Sequence, residues 1–360
     1  MTTNVTIAEI ASLARVNPST VSRVLGGNNQ IVVSQACRAR ILKIARKLNY
    51  APNHAGRSLV SGKSYTIVAV LGDMEGDLGS PFFIPVMAEL TRTLWAKGYT
   101  LSLLPADARD RRTLNCNILR IIRESRADGY FIPNMFLSAA TLALLRQRRR
   151  PVVTFAKRDG DADLGGIVNA VVLDERPGAD GMAKTAAQMG HRRVLYITPA
   201  IRPRSPRMPA MWAALRRAGI TFSKNDCLVY NQISRGFLHD RPNAYAAAMA
   251  HMDKLCAYSL LVCCSDLVAM GVMDALRERG LEPGRDISVA GYDNLEENVH
   301  FHVDKPRLAT IDRCAHERGR AAAELLLERL EQPGLASVVR LVPTRFIQRM
   351  SMTKPNGRLL

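Results

Sequence analysis

"NPSTVSRVL", residues 17–25, is the stretch on which the reading of this chain turns. Val21, Val24 and Leu25 recur at helical spacing and belong on a buried face, which leaves Ser19, Thr20, Ser22 and Arg23 turned toward something polar. Asn17 is a good N-cap, and Pro18 suits the first helical turn, where its missing N–H would have no partner. Upstream, Thr6 and Glu9 have the separation of a capping box, followed by an apolar stripe of Ile7, Ile10, Ala11 and Ala14. Downstream, Gly26, Gly27, Asn28 and Asn29 read as a loop, and Ser34 caps a third helix with Ile41, Ile44, Ala45 and Leu48 on one side. Two short helices joined by the tight link "ARVN" and braced by a third make a helix-turn-helix unit.

Charge says what the polar face meets. Residues 1–63 hold nine basic side chains (Arg15, Arg23, Arg38, Arg40, Lys43, Arg46, Lys47, Arg57, Lys63) and one acid, Glu9, a net of +8. The remaining 297 residues share 41 basic and 31 acidic side chains, so the charge density is several-fold higher at the N-terminus. A compact basic module points to a polyanion. Short polar side chains at the start of a helix reach base edges and phosphates when that helix lies in a major groove, and Arg23 can bind phosphate or guanine. The same pattern, taken alone, also fits a solvated helix face.

With 360 residues the chain has room for more than one domain. Its start lacks the basic and apolar regions of a secretion signal, and no apolar run is long enough to span a bilayer; a cytoplasmic protein without a membrane partner is expected. The seven cysteines are odd in number and form no CxxC pair, so buried free thiols are expected rather than a disulfide or zinc site.

The runs "VTIAEIASLARVNPSTVSRVL" and "ILKIARKLNYAPNHAGRSLVSGKS" resemble the DNA-binding headpiece and hinge of the lactose-repressor/galactose-repressor family of bacterial transcriptional regulators, and the likeness continues to about residue 347. The resemblance implies base reading by Pro18 and Ser19, with Thr20, Ser22 and Arg23 making surrounding contacts and Thr6 also facing DNA. It further implies a hinge from Asn53 to Leu59, in which Asn53, His54 and Gly56 lie against DNA and Leu59 wedges into the minor groove. Two residues depart from the family pattern. Arg15 stands where glycine is usual, which requires either a left-handed arginine, at about 1 kcal/mol or more, or a different turn. Gly56 stands where alanine is common and lowers hinge helicity by up to about 1 kcal/mol.

From Tyr65 onward the period changes. "YTIVAVL", "YTLSLL", "GYFIP", "PVVTFA", "RVLYIT", "SLLVCC" and "ISVAGYD" read as strands between helical stretches such as "IPVMAELTRTLWAKG" and "LVAMGVMDALRERG". Alternation of this kind gives parallel sheets with right-handed crossovers. The pattern occurs twice, over roughly 65–160 and 190–290, and the chain crosses back after about residue 300. The expected fold is an all-α helix-turn-helix headpiece plus an α/β two-lobed sensor resembling periplasmic binding proteins. The expected divisions are residues 1–50 (headpiece), 51–63 (hinge), 64–347 (two-lobed ligand-binding and dimerisation domain) and 348–360 (C-terminal tail).

Ligands of such sheets sit at the carboxyl ends of strands. The candidates are Asp73 in an acidic loop, the aromatic pair Phe82 and Phe83, Arg207, Ser265, Asp266, Asp293 and Arg313. Arg207 matches the family's ligand-gripping arginine; Asp266 can equally cap the next helix. Arg207 and Arg313 suit a sugar acid or sugar phosphate, whereas Asp73 and Asp293 oppose one. Ala156 and Lys157 replace an acidic residue common in relatives.

No GxSxG, P-loop or HExxH occurs, and His300 and His302 lack further ligands, so neither enzyme activity, a cofactor nor a metal is expected. The expected partners are a near-palindromic double-stranded DNA operator, a second copy of the chain in a homodimer, and a small effector: a sugar, sugar acid or sugar phosphate and, behind these, a purine. A solute-binding module and a sugar-modifying enzyme are the alternatives.

Overall fold

The computed structural model describes residues 5–25, 33–50, 58, 61–71, 80–105, 111–133, 137–155, 168–200, 206–233, 239–298 and 307–356. Asn53, His54, Gly56, Leu59, Asp73, Ala156, Lys157, His300 and His302 lie outside them, as does the loop of Gly26, Gly27, Asn28 and Asn29. The chain forms two compact units, Met1–Tyr65 and Thr66–Leu360.

In the first unit, helices α1 (Ile7–Ala14), α2 (Pro18–Leu25) and α3 (Gln35–Lys47) close around Ile10, Ala11, Ala14, Val21, Val24, Ile41 and Ala45. Thr6 and Glu9 complete the capping box: the Glu9 amide donates to Thr6 Oγ1 at 3.3 Å, and the Thr6 amide donates to Glu9 Oε2 at 2.7 Å. Ser34 caps α3 by accepting from the Cys37 amide at 3.3 Å. Arg15 closes α1 with φ 51° and ψ 50°, the left-handed alternative, and its amide bonds back to Ser12. An arginine thus carries a backbone conformation that glycine adopts without a Cβ clash.

The second unit has two sheets with the same strand order. The first consists of β1 (Thr66–Leu71), β2 (Thr100–Pro105), β3 (Gly129–Phe131), β4 (Val152–Thr154), β5 (Val168–Asp174) and β11 (Val339–Pro343), arranged 11-5-4-3-1-2 and wholly parallel. The second consists of β6 (Val194–Pro199), β7 (Cys227–Tyr230), β8 (Leu260–Cys263), β9 (Ser288–Tyr292), β10 (Ala309–Asp312) and β12 (Arg345–Ile347), arranged 12-10-9-8-6-7 with only β12 antiparallel. Burial on both faces explains the unbroken apolar runs: Ile67–Leu71 and Leu260–Cys263 are fully buried.

The helices that carry the site follow these strands. They are α4 (Phe83–Ala96), α5 (Arg111–Arg123) and α6 (Ala139–Gln147) in lobe one, then α7 (Arg176–Met189), α8 (Arg207–Arg217), α9 (Asp240–Ala250), α10 (Met252–Cys256), α11 (Asp266–Glu278) and α12 (Leu295–Asn298) in lobe two. The last, α13 (Ala315–Glu331), returns to pack on α4.

The chain passes between lobes three times, at β5–α7, β10–α13 and β11–β12. The passages are bonded together: Thr344 Oγ1 donates to the Asp174 carbonyl at 2.9 Å and accepts from the Gly178 amide at 3.1 Å. A Cβ at Gly178 would lie 2.6 Å from both Thr344 Oγ1 and Ile311 Cγ2. The expected C-terminal tail packs into lobe two along its described part. Ser351 Oγ accepts from the Ala309 amide at 2.8 Å and donates to the Val289 carbonyl at 2.6 Å, and Met352 is buried. His191, also buried, sets Nε2 2.8 Å from the Thr353 carbonyl and Nδ1 2.9 Å from Ser259 Oγ.

Candidate ligand-binding site and DNA-reading surface

On the headpiece, Pro18, Ser19 and Arg23 are exposed while Thr20 and Ser22 are half-buried. The Asn17 carbonyl accepts from the Thr20 and Val21 amides, so the first turn is fixed from its own backbone. Val21 and Val24, on the opposite side, anchor the helix in the core. Thr6 is exposed at the start of α1.

In the two-lobed unit, the carboxyl ends of the strands bring together four of the expected residues, Phe82, Arg207, Asp293 and Arg313, and several that the sequence did not single out. Arg207 opens α8, after β6; Asp293 follows β9; Arg313 follows β10. All meet at one carboxylate oxygen: Arg207 Nη2 lies 3.4 Å and Arg313 Nη1 3.0 Å from Asp293 Oδ1. Arg207 Nη1 also donates to the Cys264 carbonyl at the end of β8, and its guanidinium lies over the Tyr292 ring, 5.4 Å from the centroid. Burial, the largest influence, works against the Arg207 charge, and Asp293 together with Cys264, Glu175 and Tyr196 more than offsets it, raising the pKa. Asp293 itself has φ 112°, a conformation rarely seen outside glycine and stored most often at functional sites.

The aromatic pair divides. Phe82 lies beneath Arg313, whose guanidinium carbon is 4.0 Å from the ring centroid. Phe83 turns to the aromatic cluster of lobe one, stacked 6.3 Å from Phe131 and edge-on 6.5 Å from Phe155. A cation over a ring gains most where water is excluded, and Arg313 is 16 % exposed. Arg313 thereby ties the lobe-one aromatic to the lobe-two carboxylate.

Ser265 and Asp266 have a different placement. Ser265, not Asp266, caps α11, accepting from the Val268 amide at 3.3 Å. Asp266 Oδ1 accepts from Thr310 Oγ1 at 2.7 Å and Oδ2 from the Leu295 amide at 2.8 Å, so both oxygens are engaged within lobe two. Burial, and then Asp293, push its carboxyl well above the usual range, against those two hydrogen bonds. Gly291 makes this packing possible: a Cβ there would stand 2.1 Å from Asp266 Oδ1.

Two charged residues were missed. Glu175, immediately after β5, is buried; the apolar run "VNAVVLD" ahead of it is the sequence signal that marks a strand ending there. Arg318, in the first turn of α13, is only 5 % exposed. Its neighbours in "AHERGR" look like a solvated helix start, and no local signal marks an arginine that will be buried. Its Nη2 donates to the Phe155 carbonyl at 3.0 Å and to the Val171 carbonyl at 3.4 Å, and its guanidinium carbon sits 3.7 Å from the Phe155 centroid. No group of three or more metal-ligating side chains occurs among the described residues, and no described helix is long and apolar enough to cross a membrane.

This arrangement can hold a small polar molecule between two lobes and a nucleic acid on a separate basic module, and the comparisons agree. The profile of bacterial regulatory proteins of the lacI family matches residues 6–53, and that of the periplasmic binding protein-like domain matches residues 183–352. The ribose operon repressor of Escherichia coli K12 is 29% identical over 343 residues, covering 92% of this chain and 94% of the relative. The HTH-type transcriptional repressor PurR of Aliivibrio fischeri ES114 is 26% identical over 334 residues, covering 91% and 92%. The fold is shared with the Lac repressor dimer bound to operator and the anti-inducer ONPF (TM-score 0.74, 19% identity, 97% of this chain and 99% of that one). It is shared too with a regulator from Enterococcus faecium with bound ribose (TM-score 0.65, 23% identity, 81% and 100%). A capped helix-turn-helix module ahead of a two-lobed parallel-sheet sensor, matched along nine-tenths of its length by repressors, places this chain in the lacI family of bacterial regulatory proteins.

Proposed function

We propose that the chain is a repressor whose grip on operator DNA is set by a small molecule held between its lobes. Two copies pair through the two-lobed domain, and each headpiece reads half of a near-palindromic site. In this reading Pro18 and Ser19 contact bases, Thr6, Thr20, Ser22 and Arg23 contact bases and phosphates, and the hinge residues Asn53, His54, Gly56 and Leu59 engage the minor groove. The division into residues 1–50, 51–63, 64–347 and 348–360 belongs to the same proposal, as does action in the cytoplasm, where bacterial DNA lies.

The observation that carries the reading is the cluster of Arg207, Asp293 and Arg313 beyond the carboxyl ends of strands of the second sheet, where ligands of open parallel sheets bind. The ribose operon repressor, the ribose-bound regulator and the ONPF-bound Lac repressor dimer support a small carbohydrate effector, with a purine-sized one behind it. Such an effector changes DNA affinity by binding one lobe arrangement better than another. Arg207, Asp293, Arg313 and Phe82 are the proposed contacts; Phe83, Ser265 and Asp266 brace them.

Selection of genomic fragments on the full-length protein at about 150 mM salt tests this. The expected result is enrichment of a short palindromic sequence whose binding weakens steeply with salt. Retention of fragments without any shared sequence would overturn the reading.

A further inference from the structure

Three guanidinium groups converge where the lobes meet, and one of them makes no ion pair among the described residues. Asp293 serves both Arg207 and Arg313. Arg318 is held only by two neutral carbonyls and a ring face among the described residues, which fix its orientation without balancing its charge. Glu175 lies near enough to favour all three charges, yet three guanidinium groups still outnumber Glu175 and Asp293; its Oε2 is buried with no hydrogen-bond partner, and so are Nε of Arg313, Nε of Arg318 and the Tyr292 hydroxyl. Asp266 touches no guanidinium, because its oxygens are taken by Thr310 and Leu295. A buried charge and four buried polar atoms left without partners are each unfavourable, and they are retained together at one place.

We infer that the effector carries a carboxylate or phosphate, gripped by Arg313 and Arg318, and that Arg318 is the residue that selects an anionic effector over a neutral one. This rests on the reading of the cleft as an effector site. A neutral sugar hydroxyl could satisfy a free Nε but leaves the excess charge as it stands; an oxyanion does both. Guanidinium is planar, and with Nη2 anchored to Phe155 and Val171 the Nε edge is set in place before the ligand arrives, which favours oxyanion recognition. Burial, and then Arg313, hold Arg318 well below the ordinary guanidinium range, and burial followed by Arg207 lowers Arg313; a bound anion relieves both. Asp293 sets the limit: bonded to both Arg207 and Arg313, it repels an anion near either contact, so the anionic group belongs at Arg318 and the Nε edge of Arg313, and the uncharged part of the ligand near Arg207 and Asp293.

The test is calorimetric titration and thermal shift of the full-length chain with D-gluconate, D-ribose 5-phosphate and D-ribose. At least one anion is expected to bind at least roughly 10-fold more tightly than ribose, as hydrogen bonds to a charged group imply. The better of the two anions distinguishes carboxylate from phosphate. Arg318→Met is expected to weaken that anion by roughly 10- to 100-fold and leave the response to ribose in place. Should Arg318→Met not fold, Arg318→Lys keeps the charge, loses the planar donor edge and is expected to lose anion affinity in the same direction. Ribose binding as tightly as either anion, neither anion binding, or an unchanged anion affinity in the folded Arg318 variant would each overturn the inference. Any of these results alongside an enriched DNA sequence leaves the regulator reading intact; failure of the DNA selection removes that reading whatever the titrations show.

Discussion

The headpiece and the cleft both present arginine to a partner, in opposite dielectric settings. Arg23 stands exposed on a short helix, where water and salt carry its charge and its removal leaves the three-helix core untouched. Arg207 and Arg313 are enclosed on a single carboxylate, and Arg318 is enclosed without an ion pair among the described residues. An exposed charge can serve recognition independently of folding. A buried one ties the two together, since each guanidinium that waits for a ligand also burdens the unliganded protein.

Removing Asp293 would break that contrast most visibly. Asp293→Ala strands Arg207 and Arg313 without their shared partner, and urea unfolding of the two-lobed unit should show a loss of about 3–5 kcal/mol. Next in size, Arg23→Ala should weaken selected operator DNA by about 10- to 100-fold, equivalent to about 1–3 kcal/mol. Its unfolding midpoint should stay in place, as surface substitutions usually shift stability by less than about 0.5 kcal/mol. A midpoint that falls with the affinity would show that the two settings are not separable.

The headpiece turn offers a finer probe. Arg15→Gly replaces an arginine at φ 51° by a residue without a Cβ, and should raise headpiece stability by about 1 kcal/mol in thermal melts. Part of that gain is returned through the freer unfolded chain of glycine. An unchanged or lower melting point would mean that the arginine side chain contributes more than its backbone conformation costs.

The smallest effect concerns a neutral buried group. His191 faces a carbonyl through Nε2, so that nitrogen carries the hydrogen in the neutral ring, while Nδ1 lies beside Ser259 Oγ, whose hydroxyl also reaches the Arg193 carbonyl. Burial lowers its pKa from 6.5, partly offset by the Thr353 carbonyl. The folded state therefore binds fewer protons than the unfolded chain below pH 6.5, and stability falls as pH drops from 6.5 toward the depressed folded value. Melting curves from pH 7.5 to 5.5 should decline, and His191→Gln should flatten that decline. Equal slopes would assign the decline to other groups.

Much of this protein was legible before any coordinates. The capping residues Thr6, Glu9 and Ser34, the buried Val21 and Val24, and seven apolar strand runs could be read because their causes are local: an end needs a cap, and a periodic face needs a core. Asp293 and Arg313 could be placed at strand ends for the same reason, and Arg207 through the family resemblance. The short crossing strands could not. β11 and β12 pair with strands far away in the sequence, and their exposed, mixed residues carry no pattern of their own. Nor could the sequence assign Ser265 rather than Asp266 to the cap, or send Phe82 to Arg313 and Phe83 to the aromatic core. Burial of Arg318 and Glu175 was decided only when β5, β10 and α13 met at the passage between lobes. Charge in a sequence predicts exposure, and only the third dimension shows where the surrounding chain has closed over it.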